Sequence, residues 1–461
     1  MSAARDVRSA LLHGPIAATL LRLAWPVLVV LALQTLVGVA ETWFVSFLGT
    51  AAVAGVTLVF PLFMLMAMMS NGGIGGGVSS AVARAIGAGR TGDARALALH
   101  TLVVAVVFGG GFSLAAWVGG RALFGLMGGA GDTLENALVY SNVLFASAIP
   151  AWIANLLAAA LRGAGNVRVP ALVTAIGAFS TLALSPLFIF GLGVVPALGV
   201  AGAGLAFGCF NVGSAIVLAM HMRSARSVLR LEGGRLEWRH FRDILGVGLP
   251  SAAGTVVANL TVVVTTGLVG TFGGAAIAGY GLASRLDYIL IPLLFALGTA
   301  CVTMVGTNMG AGQFERARRI AWTSTLISAA AVGTIGFAAA ALANPWMELF
   351  SREPDVVHAG VSYLVRVAPA YALFGAGMAL YFASQGAGKM AWPFAAGIVR
   401  LCIVVLAGWY WTSGLQGSVQ GLFWIVTSSY VIFGAINLFA MTSGLSWGRL
   451  PRDLRVRTAQ A

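Results

Sequence analysis

The sequence predicts an all-α integral membrane protein, with twelve transmembrane helices in two parallel six-helix repeats. Three observations carry that prediction. Hydrophobic residues make up 59% of the chain and charged residues 9%, where soluble domains carry about 25% charged residues. No charged residue occurs from Val169 to Met222 or from Ile244 to Ser284, and each stretch is long enough for two crossings of about 20 residues. The punctuation also repeats. Pro26, Gly49, Ala54 and Gly55 return as Pro250, Gly273, Ala278 and Gly279, 224 residues on. Gly87, Gly89, Gly163, Gly165 and Pro170 return as Gly310, Gly312, Gly386, Gly388 and Pro393, 223 residues on.

Cutting at charges, prolines and glycine turns places the first six helices near residues 16–47, 51–82, 95–118, 134–161, 170–191 and 196–222. The second six fall near 244–270, 275–307, 317–341, 356–384, 392–412 and 417–443. Lipid satisfies no backbone hydrogen bond, so spans must be helices or closed barrels, and uninterrupted apolar runs exclude the alternation of a barrel. An even number of spans per copy returns the second copy to the same side, which makes the repeats parallel. The expected domains are an N-lobe (1–222), a cytoplasmic linker (223–243), a C-lobe (244–448) and a basic cytoplasmic tail (449–461).

In the first helix, Pro26 removes a backbone donor and leaves a hinge; the apolar stretch around it is too long for a signal-peptide core. In the second, GGIGGG (Gly72–Gly77) reads first as close helix packing and second as a hinge. The run IGAGRTGDARA (Ile86–Ala96) between helices 2 and 3 is echoed by MGAGQFERARR (Met309–Arg319) between helices 8 and 9. RGAGNVRVP (Arg162–Pro170) is echoed by QGAGKMAWP (Gln385–Pro393). Glycine lets a helix end in left-handed geometry, so these are turns. As phosphate loops they lack the strand and the GK[ST] ending.

The formal charge is +13, yet 22 of the 27 cations fall on one face once the N-terminus is placed inside. Positive charge at helix ends stays cytoplasmic, so the excess is topology and no nucleic-acid partner is needed. Both termini are expected in the cytoplasm, and the multi-pass chain in a bacterial inner membrane. Cys209, Cys301 and Cys402 stand singly in apolar segments and read as small buried hydrophobes. The five histidines sit at or beyond helix ends, which leaves no obvious ligands for a metal in the membrane.

The runs PVLVVLALQTLVGVAETWFVSFLG (Pro26–Gly49), IGAGR (Ile86–Arg90), RGAGNVRVP, SPLFIFG (Ser185–Gly191), LGVAGAG (Leu198–Gly204), VGLPSA (Val247–Ala252) and TNMGAGQ (Thr307–Gln313) resemble the multidrug and toxic compound extrusion family, MATE. The resemblance covers roughly residues 16–445 and is nearest in look to the DinF-like branch. It implies two six-helix lobes around a V-shaped cleft, and export of organic, often cationic, compounds against inward flow of protons or sodium ions. The chain departs from the pattern in places. Glu41 stands where an aspartate is usual, Thr181 and Ser185 stand in the Asn-x-x-x-Asp-Pro frame of helix 5, and Phe207 replaces a threonine of helix 6. Asn259 and Tyr371 stand near the acids that the NorM-like branch carries in helices 7 and 10.

Of fourteen acids, Glu41 and Asp287 alone lie well inside expected spans. An acid at a helix centre costs about 2.5–3.5 kcal/mol on insertion scales, so its retention points to use, to a water-filled cavity or to a partner. Glu41 is the candidate coupling group, its plainer reading being a snorkelling glutamate near the outer interface, with Tyr140, Asn155 and Ser185 placed around it by analogy; Asp287 reads equally as a switch of the second copy or as half of a fixed ion pair to another helix. Asp287 and Arg285 are two apart on one helix and do not face each other. Phe60, Met64 and Met68 on helix 2 and Tyr371, Phe374, Met378 and Tyr381 on helix 10 form stripes that read as plain helix packing or as a substrate cleft, because thioethers and ring faces adapt to varied apolar shapes and attract cations. Arg366 and Arg400 read as snorkelling or bridging residues.

The leading expectation is a secondary antiporter working by alternating access. It would act as a monomer on small organic substrates amid membrane lipids, with no cofactor beyond the coupling ion, H+ or Na+. The alternative is a flippase for a lipid-linked precursor, against which the twelve-helix count argues. The lack of HExxH, GxSxG or paired intramembrane histidines argues against an intramembrane enzyme, and the duplication fits rocking lobes better than the pore of a channel.

Overall fold

A computed structural model describes residues 2–447 apart from Val194, Ala225 and Arg226. The basic tail expected at 449–461 lies outside the described residues. After a short leading helix, Ser2–His13, the chain forms α1 (Ile16–Ser46), α2 (Thr50–Gly87), α3 (Thr91–Leu126), α4 (Gly131–Ala146 and Ala148–Gly163, bent by 48°), α5 (Arg168–Phe190) and α6 (Val200–Arg223). The second copy supplies α7 (Trp238–Gly270), α8 (Gly274–Gly310), α9 (Phe314–Ala341), α10 (Pro354–Ala387), α11 (Ala391–Gly414) and α12 (Val419–Thr442). Eleven of these are long and apolar enough to cross a membrane, or twelve with the bent α4 counted as one span. The α7 helix begins at Trp238, inside the stretch expected as linker. Large side chains such as Trp25, Trp43, Phe47 and Trp424 stand exposed, as they can when the solvent is hydrocarbon.

The chain divides into two compact units. The first takes the residues up to Arg8 together with Trp25–Gly248; the second takes Ser9–Ala24 and the chain from Leu249 on. Thus α1 passes between units immediately before Pro26, and α7 immediately before Pro250. Each proline removes one helical hydrogen bond at that crossing. Within the second unit the Asn308 amide donates to the Leu11 carbonyl at 3.1 Å, and Arg316 donates to that of Gly14 at 2.5 Å. Within the first, His100 accepts from the Glu237 backbone N–H at 2.8 Å through Nε2, its Nδ1 lying 2.7 Å from the Ala96 carbonyl oxygen. That pairing seats the linker's end on α3.

Inside each unit the same close approaches recur. Gly163 of α4 lies on Ser79 of α2, and Gly386 of α10 on Val302 of α8. Gly109 and Ile149 correspond to Gly333 and Ala372, and Gly75 and Ala159 to Gly298 and Phe382. Small residues let helix backbones approach where lipid offers no hydrophobic push. The duplication is therefore a duplication of packing as well as of sequence.

Candidate functional site

In the first unit α1 brings in Glu41 and α5 brings in Ser185. Glu41 is 7% exposed, Ser185 is fully buried, and the Ser185 hydroxyl donates to Glu41 Oε1 at 3.1 Å. Thr181 sits one turn before Ser185, on the same face, and is buried with its hydroxyl donating to the Gly177 carbonyl at 2.9 Å. Tyr140 of α4 is buried and within electrostatic reach of Glu41. No ion pair involves Glu41 among the described residues. A carboxylate out of water is costly unless paired or hydrogen-bonded, and here a serine hydroxyl is the partner, with no cation.

Asn155 goes elsewhere. Its amide donates to Ser70 Oγ at 2.9 Å, and Ser70 lies in a π-helical turn, Met69–Gly73, that interrupts α2. Such turns are frequent at functional sites, and this one overlaps the start of the Gly72–Gly77 run, one of whose readings is a hinge. Phe207 packs on Phe63 with ring centroids 5.5 Å apart. Of the α2 stripe, Phe60 is exposed and Met64 and Met68 are half-buried.

The second unit gathers a different set. Asp287 follows a 3-10 turn, Ser284–Leu286, within α8. Arg285 leaves it to lie 5.7 Å from the Phe350 ring centroid. Asp287 is within electrostatic reach of Tyr371 on α10 and Arg400 on α11. Tyr371 is only 1% exposed and its ring lies 6.1 Å from that of Tyr430, so it belongs to the core rather than to an open cleft. Phe374 and Met378 are partly buried against the same core. Tyr363, the repeat counterpart of Tyr140, lies edge-on to Tyr280 and to Phe423, each at 5.2 Å. Sequence reasoning missed the tyrosines Tyr280, Tyr363 and Tyr430 and the part played by Arg400. The available signal was a comparison of the copies: Arg400 falls opposite Gly177, whereas the packing glycines Gly55, Gly75, Gly109 and Gly163 fall opposite glycines.

A family model described as MatE matches residues 26–187 and again 250–411. The chain belongs to the MATE family. Both matches open on the repeated proline, and MATE members are transporters rather than enzymes. The chain is 26% identical over 407 residues to a protein of Shewanella oneidensis named as an FAD transporter, covering 87% of this chain and 88% of that one. It is 27% identical over 344 residues to a probable multidrug resistance protein, NorM, of Thermotoga maritima, 73% of each chain being covered. A crystal structure described as MATE in the bent conformation superposes with a TM-score of 0.87 at 24% identity, covering 97% of this chain and 98% of that one. A transporter of the wider MOP superfamily from Pyrococcus furiosus superposes with a TM-score of 0.82 at 25% identity, covering 95% and 97%. This protein is accordingly a multi-pass MATE transporter of the compound-efflux type.

Proposed function

We propose that this transporter exports amphipathic organic compounds, cations among them, in exchange for protons or sodium ions by alternating access of its two lobes. The observation that carries the reading is the buried Glu41 carboxyl, held by Ser185 and lacking a counter-ion among the described residues. An incoming H+ or Na+ would supply the missing positive charge. Release of that ion on the opposite side would restore the anion, so the group can be occupied alternately from two sides. The prolines at which α1 and α7 pass between units leave both helices able to bend during such a cycle. Tyr140 sits beside the ion position, Asp287 offers a second acid in the other lobe, and Phe60, Met64, Phe374 and Met378 offer the adaptable surface. Asn155 supports the π-turn of α2 rather than the ion. The monomer would lie in the bacterial inner membrane with both termini in the cytoplasm, in keeping with the side on which its arginines cluster.

The energy is sufficient: one charge moved across 100 mV is worth about 2.3 kcal/mol. In liposomes of purified protein, tetraphenylphosphonium is expected to be concentrated when a pH or sodium gradient is imposed with membrane potential clamped, and merely to equilibrate without one. Comparing the two gradients identifies the ion. Accumulation that is indifferent to both gradients would refute antiport.

A further inference from the structure

Arg400 lies against two aromatic rings and donates no hydrogen bond among the described residues. Its guanidinium carbon lies 4.5 Å from the Tyr430 ring centroid and 5.2 Å from that of Phe374, and the two rings are 4.8 Å apart with 32° between their planes. Cation-π attraction engages the charge of a guanidinium through the face of the aromatic ring, and it does not supply the oxygen acceptors that its five in-plane N–H donors take. Among the described residues none of those donors has a protein acceptor, and Nε is fully buried. Arg366, by contrast, donates to the carbonyl and hydroxyl oxygens of Ser362 at 3.0 and 2.8 Å on its own helix, as a structural arginine does.

Two further groups share this cluster. The Tyr371 hydroxyl is buried, and its polar neighbours are Asp287 and the Tyr363 hydroxyl. Asp287 is within electrostatic reach of Arg400, yet the two form no ion pair among the described residues. A buried donor without an acceptor is a cost to the fold, and an arginine in mid-membrane adds to it. The fold does not require one here, since the first copy carries Gly177 at the equivalent place.

We infer that Arg400, backed by Tyr430 and Phe374 and assisted by the Tyr371 hydroxyl, is a subsite for an oxyanion of the transported compound, a carboxylate or phosphate joined to a planar apolar body. A planar fork matches either group bidentately, and weak solvent screening strengthens such bonds. The same charge would repel a cationic head group, so cations must bind elsewhere in the protein. The inference rests on the proposed export role for the word "transported", but the binding it describes is independent of any gradient.

The test is titration calorimetry in nanodiscs of phosphatidylcholine, with 2-naphthoate, 2-naphthyl phosphate and the neutral 2-naphthylmethanol as probes. The anions are expected to bind at least about tenfold tighter than the alcohol, a charge-assisted pair of bonds being worth more than that. Arg400→Gln should erase the difference while leaving the alcohol unchanged, and Arg400→Lys should recover part of it. Tyr371→Phe, which removes one hydroxyl from an intact ring, should weaken anion binding several-fold and serves if the arginine variants fail to fold. Doping the discs with phosphatidylglycerol should leave naphthoate affinity unchanged; strong competition would give the site to a lipid head group and overturn the substrate assignment. Equal affinity for all three probes, or an undiminished preference in Arg400→Gln, would overturn the site itself. Because no gradient is applied, these failures would leave the coupling role of Glu41 standing, and a failure of coupling would leave them untouched.

Discussion

Glu41→Gln is expected to end gradient-driven accumulation while leaving the protein folded. A glutamine has the same shape, and its carbonyl oxygen can accept the hydrogen bond that Ser185 now donates at 3.1 Å, so packing around α1 and α5 should hold. What it loses is the capacity to carry a charge that an ion can cancel. A proton antiporter exchanging one proton for one neutral solute concentrates that solute about tenfold per pH unit, and the variant should show a ratio of one at every gradient. Glu41→Asp keeps the chemistry but shortens the reach to Ser185 by one methylene; reduced transport that still answers to the gradient is expected. Ser185→Ala should weaken ion dependence without abolishing it, because the carboxyl remains. Transport ratios in liposomes at several imposed gradients measure all three. A Glu41→Gln protein that still concentrates substrate would remove this residue from the mechanism.

The spans were legible because a bilayer constrains a chain more tightly than water does: length, apolarity and the side preferred by arginine leave few alternatives. The breaks inside spans were not. The π-turn at Met69–Gly73 and the 3-10 turns at Ser284–Leu286 and Ala368–Ala370 change hydrogen-bond register without ending the apolar run, so hydropathy is blind to them. Pro369 marks the last of these after the fact, by removing a donor. The passage of α1 and α7 between the compact units was equally hidden, since the sequence shows which residues repeat and says nothing of what each half of a helix packs on. Glu41 and Ser185 could be paired from rarity and from the family frame. The tyrosine cluster could not, its members lying at 280, 363, 371 and 430 on three helices. Symmetry offers a better guide than either. Packing glycines persist in both copies, whereas Glu41 falls opposite Thr265, Ser185 opposite Gly408 and Arg400 opposite Gly177. The copies share their scaffold and differ in their chemistry, which is where selection for transport would act.

Gly279→Val is expected to cost most of the folded protein, and Gly55→Val nearly as much. A β-carbon at Gly279 would lie 2.5 Å from the Val356 carbonyl oxygen, 2.7 Å from the Ala359 β-carbon and 2.8 Å from the Gly360 nitrogen. At Gly55 it would meet the Asn136 β-carbon at 2.8 Å, the Ala137 nitrogen at 2.9 Å and the Thr133 carbonyl oxygen at 3.0 Å. These obstacles are backbone or its first side-chain carbon, and no rotamer change moves them out of the way. Helices α8 and α10, or α2 and α4, would have to separate along their length. Overpacking against side chains that can shift costs about 1–3 kcal/mol, so the penalty here should lie at or above the top of that range. Gly281→Ala is the control: it sits on the same helical segment as Gly279, two residues on, with nothing within 4 Å of its β-carbon, and alanine in a helix gains about 1 kcal/mol over glycine. Thermal unfolding of detergent-solubilised variants, followed by size-exclusion chromatography, should rank Gly281→Ala at or above the parent, Gly55→Val well below it and Gly279→Val lowest. Should both valine variants match the control, the close contact of these helix pairs would be wrong. Because the two positions are copies of one another, a loss at one without the other would mean that the repeats no longer depend on the same packing rule.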